Sequence, residues 1–117
     1  MKLSELFKFQ NKTSKNKKFK RNFEDINYNK FNKIFMEGKG TLIDVRSRQE
    51  YAENHFDGAI NIPLDEIEKS IKKVSPDKNR TVLLYCQYGS RSKKAQNILK
   101  KLGYTNVYNL KDGLDGI

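Results

Sequence analysis

The sequence has one cysteine, one histidine and no tryptophan among its 117 residues. A single cysteine closes no intrachain disulfide and cannot supply a multi-cysteine zinc or iron–sulfur site, so any chemistry it performs is thiol chemistry. A single histidine leaves no His-rich metal cluster. No metal or cofactor is therefore expected. No run approaches the ~20 apolar residues of a membrane span. The start, Met1-Lys2-Leu3-Ser4-Glu5-Leu6-Phe7-Lys8-Phe9, lacks the uninterrupted apolar stretch of a secretory signal. The expected location is the reducing cytoplasm, with no transmembrane segment.

Acidic residues are almost missing from the first 22 positions, where eight Lys/Arg face one Glu, a net +7 of the chain's +10. Residues 23–117 hold sixteen Lys/Arg and thirteen Asp/Glu, a net +3. The pI near 9.7 thus belongs mostly to a tail. Residues 1–22 are expected to be a basic, flexible extension, with residues 10–22 lacking periodicity. Such a tail attracts anionic partners, but it offers no base readout and no packed face, so no specific nucleic-acid binding is expected. Leu3, Leu6 and Phe7 share a helical face too short for a membrane anchor. Residues 23–117 are expected to be one domain, with four of the chain's seven Phe and all six Tyr to help fill one small core.

Along that domain, strand and helix patterns alternate. Phe23–Asn27 reads as a short edge strand. Tyr28, Phe31, Ile34 and Phe35 mark an amphipathic helix ended by Gly38 and Gly40. Thr41–Val45 reads as a buried strand, and Ser47-Arg48-Gln49-Glu50 as a capping box opening a helix to about Asn54. Gly58–Pro63 reads as a strand stopped by proline. Leu64–Val74 reads as a helix with Leu64, Ile67 and Ile71 on one face, followed by a turn at Ser75–Asn79. Thr81–Tyr85 is the most hydrophobic run and should be the central strand. Ser90–Leu102 reads as a helix capped by Gly103, and Asn106–Leu110 as a last strand. The alternation predicts an α/β fold: a small parallel sheet of about five strands with helices on both faces.

Ligands of such sheets bind at the carboxyl ends of the strands. The central strand runs directly into Cys86-Gln87-Tyr88-Gly89-Ser90-Arg91. A thiol between a strand end and a helix N-terminus sits where the macrodipole and unpaired N–H groups favour its thiolate. Gly89 permits a left-handed turn that points successive N–H groups into one concavity. Arg91 can add a permanent charge and a fork of donors for an anion. The alternative for a lone cysteine is a buried small hydrophobe, but this context favours a nucleophile held in an anion cradle.

These features resemble the rhodanese family over about residues 23–117. The resemblance is carried by Leu42-Ile43-Asp44-Val45-Arg46, Glu50-Tyr51, His55 through Pro63, the loop Cys86 to Ser92, Leu102-Gly103-Tyr104 and Val107-Tyr108-Asn109-Leu110. It implies a single-domain sulfurtransferase whose Cys86 cycles through a persulfide, with Gln87, Tyr88, Gly89, Ser90 and Arg91 around the substrate. The donor would be thiosulfate or a low-molecular-weight persulfide. The acceptor would be cyanide or a thiol, including a protein sulfur acceptor. Asp44, Arg46, Glu50 and His55 are read as structural: Arg46 should bond Glu50, Asp44 should fix backbone at the strand end, and His55 resembles the family's structural histidine.

The resemblance departs at Lys111-Asp112-Gly113-Leu114-Asp115-Gly116-Ile117, where family members often carry a glycine-rich stretch leading to a tryptophan; Ile117 falls near that position. Two other functions compete. One is a carrier or interaction module that accepts persulfide without turnover. The other is a phosphatase of the same fold, whose loop is Cys-(x)5-Arg; here four residues separate Cys86 from Arg91, a smaller cradle suited to sulfur.

Overall fold

The computed structural model describes residues 21–117. The basic segment 1–20, including the Leu3/Leu6/Phe7 face, lies outside the described residues. Five parallel strands form one sheet in the order β1-β5-β4-β2-β3: β1 (Asn22–Ile26), β2 (Gly40–Asp44), β3 (Ile60–Asn61), β4 (Thr81–Tyr85) and β5 (Asn106–Leu110). β4 is central, as its hydrophobicity predicts. Four helices connect them: α1 (Tyr28–Met36), α2 (Arg48–Glu53), α3 (Ile67–Val74) and α4 (Ser90–Lys101).

Period-2 alternation along β4 divides the interior. Val82, Leu84 and Cys86 point to one face, where Ile67 and Ile71 of α3 and Ala95 and Leu99 of α4 cover them. Leu83 and Tyr85 point to the other face, against Phe31 of α1 and partly buried Tyr51 of α2. Cys86 thus continues the strand's buried phase and its side chain ends up on the α3/α4 side.

Several boundaries shift for local reasons. β1 begins at Asn22, one residue before the expected domain start. Asn27 is not in β1: its side chain accepts from Lys30 N at 2.9 Å and caps α1. The expected strand over Gly58–Pro63 shrinks to Ile60–Asn61, paired with Ile43 and Asp44. Pro63 has no N–H to extend it, and a 3-10 turn at Leu64–Glu66 precedes α3. The capping box of α2 forms as read, with Ser47 and Glu50 bonding each other's backbone N–H.

Candidate active site

Cys86 is fully buried directly after β4. The chain then turns through Gly89 at φ 96°, in the left-handed region. Any side chain here would collide with the Lys111 carbonyl beyond β5, so both φ and space demand glycine. The turn aims the Gly89 N–H at Cys86 Sγ (3.1 Å) and brings the Ser92 N–H to 3.4 Å, in the first turn of α4. Ser92, itself buried, places Oγ 3.3 Å from Sγ and 3.1 Å from the Gly89 carbonyl oxygen. Burial pushes the Cys86 thiol pKa up. Hydrogen bonds from the Ser92 hydroxyl and from the Ser92, Gly89 and Tyr88 N–H groups outweigh that and hold it below the ordinary value. The result is a desolvated sulfur whose anionic form is already solvated by fixed dipoles.

The arginines pair differently from the sequence expectation. Arg46 does not bond Glu50. It folds back onto Asp44, with Nη2 at 2.7 Å and Nε at 3.1 Å from the carboxylate, and both residues are buried. Asp44 Oδ1 also accepts from the Arg46 backbone N–H at 2.8 Å, fixing the strand end as expected. Arg46 further donates to the Asn54 carbonyl at 2.6 Å. The i,i+4 spacing misled because Arg46 precedes the N-cap Ser47 and is not in the helix, so Glu50 does not lie on its face. Glu50 instead takes a two-pronged bond from Arg91, Nη1–Oε1 2.7 Å and Nη2–Oε2 2.9 Å. Arg91, with bonds from Ser47 added, holds the Glu50 carboxyl down to about 2. Arg91 is therefore not an unpaired cation awaiting an anion: it ties the start of α4 to α2 while remaining within electrostatic reach of Cys86.

The remaining residues ring the loop. The Gln87 side-chain oxygen accepts from Arg46 Nη1 at 3.4 Å. Tyr88 is 66% exposed and Ser90 is exposed, so both stay at the rim. His55 is exposed, stacks on Tyr51 at 3.7 Å and donates Nδ1–H to the Tyr51 carbonyl at 2.7 Å. A cavity of about 580 Å³ opens beside Val45, Leu64 and Arg91 on the α3/α4 side. Another of about 520 Å³ lies beside His55, Gln87 and Asp115.

Beyond β5 the chain braces the loop with backbone. The N–H groups of Leu114 and Asp115 donate to the Cys86 and Gln87 carbonyls at 3.0 and 2.9 Å. Gly113, at φ 65°, lies so close to those carbonyls that a Cβ has no room. Sequence reasoning missed Ser92, although its place two residues into the helix after the loop glycine was the available signal. It also missed Asn109, whose Nδ2 donates to the Gly89 carbonyl at 3.3 Å across the sheet edge. No spacing rule links those two residues.

A thiol at the end of the central strand, in a cradle of backbone donors on a five-stranded parallel sheet, defines a class. The model of the rhodanese-like domain matches residues 27–117, and the chain belongs to that family. Among its relatives is thiosulfate sulfurtransferase PspE of Escherichia coli (strain K12), 49% identical over 67 residues, which cover 57% of this chain and 64% of that protein. The putative sulfur carrier protein YrkF of Bacillus subtilis (strain 168) is 34% identical over 73 residues, 62% of this chain and 38% of that protein. The chain thus spans less than two thirds of either relative. A solved structure of a rhodanese with anions from E. coli is 45% identical and superposes with a TM-score of 0.62, covering 67% of this chain and 91% of that one. Among the described residues, no helix is long and apolar enough to cross a membrane.

Proposed function

We propose that this chain is a sulfurtransferase that carries sulfane sulfur on Cys86. The observation that carries the reading is the set of donors on one buried sulfur: the N–H groups of Gly89 and Ser92 and the Ser92 hydroxyl, all within 3.4 Å. The Cys86 thiolate attacks the outer sulfur of thiosulfate or of a low-molecular-weight persulfide. The donor's S–S bond breaks, and sulfite or a thiolate leaves with the electron pair. The outer sulfur, now bonded to Cys86, is then attacked by cyanide or a thiolate. Its bond to Cys86 breaks and the thiolate returns. With the thiolate already formed, neither step needs a general base. The fixed N–H donors stabilise the anionic sulfur in both resting states. A reducing compartment such as the cytoplasm suits this chemistry, because it keeps the lone thiol free.

The test is intact-mass analysis after treatment with thiosulfate or another sulfane donor. The wild type is expected to gain one sulfur, and Cys86→Ser none. Absence of any gain with every donor tried overturns the reading, as does phosphatase turnover without sulfur transfer. The likeness to a putative sulfur carrier supports a second reading, a persulfide carrier. It is favoured if the mass gain occurs but cyanide and small thiols do not discharge it.

A further inference from the structure

β1 lies before the family-matched residues, which begin at 27. It pairs with β5 in register, setting Asp25 beside Asn109. Asn109 is buried, and its amide nitrogen has two partners, Asp25 Oδ1 at 3.1 Å and the Gly89 carbonyl at 3.3 Å. Both partners are acceptors, so the amide must present its N–H₂ to them; its own oxygen has no hydrogen-bond partner. The Gly89 carbonyl also accepts the Lys93 N–H at 3.1 Å, in the ordinary helical manner. A carbonyl has two lone pairs, and these two donors fill them.

The consequence falls on Ser92. Its hydroxyl has one proton and two candidate acceptors, the Gly89 carbonyl at 3.1 Å and Cys86 Sγ at 3.3 Å. With the carbonyl supplied by Asn109 and Lys93, the proton is free to turn to sulfur. We propose that Asp25 and Asn109 are positioning residues for the Cys86 thiolate: Asp25 orients the Asn109 amide onto the Gly89 carbonyl, which releases the Ser92 hydroxyl to the sulfur. The proposal rests on Cys86 working as a thiolate. The other charged groups around the loop are Asp44 at the end of β2 and Arg46 just after it, Glu50 of α2, Arg91 and Lys93 of α4, and Lys111 and Asp115 after β5. Lys93 shares Asp25, at 3.2 Å, so the effect of that ion pair has to be separated from positioning.

The experiment is the pH profile of Cys86 alkylation by iodoacetamide in the full chain, with Asp25→Ala, Asp25→Asn and Lys93→Ala. Asp25→Asn removes the charge but keeps an oxygen to accept from Asn109. Asp25→Ala removes both. Asp25→Ala is expected to move the profile's midpoint to higher pH than Asp25→Asn, with alkylation below the midpoint slower by about threefold, the effect of a half-unit rise. Lys93→Ala is expected to keep the wild-type midpoint. Coincident profiles for the two Asp25 variants overturn the proposal. So does a Lys93→Ala profile that matches Asp25→Ala, since the ion pair would then be the cause. Because alkylation reports thiol acidity and not sulfur transfer, a wild type that gains no sulfur defeats the proposed function while leaving this comparison readable.

Discussion

Two arginine–carboxylate pairs flank the thiol, and they do opposite jobs. Asp44 and Arg46 are two residues apart in the chain and fully enclosed; their side chains are 0% and 2% exposed. Glu50 and Arg91 are 41 residues apart and about one third exposed. The first pair is local and shapes the end of one strand, filling the space over the Tyr85 ring, where the guanidinium carbon lies 5.9 Å from the centroid. The second is long-range and locks two helices together at the loop. A buried charge without its partner is far more costly than a half-exposed one, so the pair nearer in sequence should matter more to stability, and the distant pair more to the loop.

The comparison breaks first at Asp44. Asp44→Ala leaves a buried guanidinium without its carboxylate and is expected to cost about 3–5 kcal/mol, read as a large fall in Tm or in the denaturant midpoint. Replacing both partners, Asp44→Leu with Arg46→Met, should recover part of that loss, since no uncompensated charge remains. Failure of the double variant to recover any stability would show that the pair's backbone bonds, not its charges, dominate.

Arg91→Ala is expected to cost less, about 1 kcal/mol, and the cost should depend on pH. The fold depresses the Glu50 carboxyl from 4.5 to about 2, chiefly through Arg91. A lowered carboxyl pKa contributes stability that is full above the unfolded value and disappears as pH falls through the folded one. The gap between wild type and Arg91→Ala should therefore be constant above pH 4.5 and close toward pH 2. A gap that stays open at pH 2 would mean that Arg91 acts by packing. The smallest effect is expected at the solvent-exposed Arg48–Glu66 pair. Arg48→Ala should leave Tm unchanged within error, because water and salt screen such pairs.

The same contrast explains what could be read from the sequence. The alternating apolar runs around Ile43, Val82–Tyr85 and Val107 gave a parallel sheet with β4 at its centre, because burial on both faces leaves a continuous hydrophobic signature. Gly89 was legible too, since few other residues tolerate that turn. Partnerships between side chains were not. Arg46 has Asp44 two residues before it and Glu50 four after, and only the position of the helix start decides between them. Arg91 with Glu50, and Asn109 with Gly89, are set by strand order and sheet register, which no local pattern carries. β3 was overestimated because Ile62 makes its last bond to β2, to the Asp44 carbonyl at 2.9 Å, and Pro63 has no N–H with which to continue.

The backbone brace from Leu114 and Asp115, and the Lys111 carbonyl beneath Gly89, come from chain that follows the thiol. A polypeptide made from its N-terminus onward holds Cys86 before it holds the segment that shapes the loop around it. The N–H donors on the sulfur come from Gly89 and Ser92, while residues 111–115 hold the turn that aims them, so the shape of the cradle depends on chain that follows it.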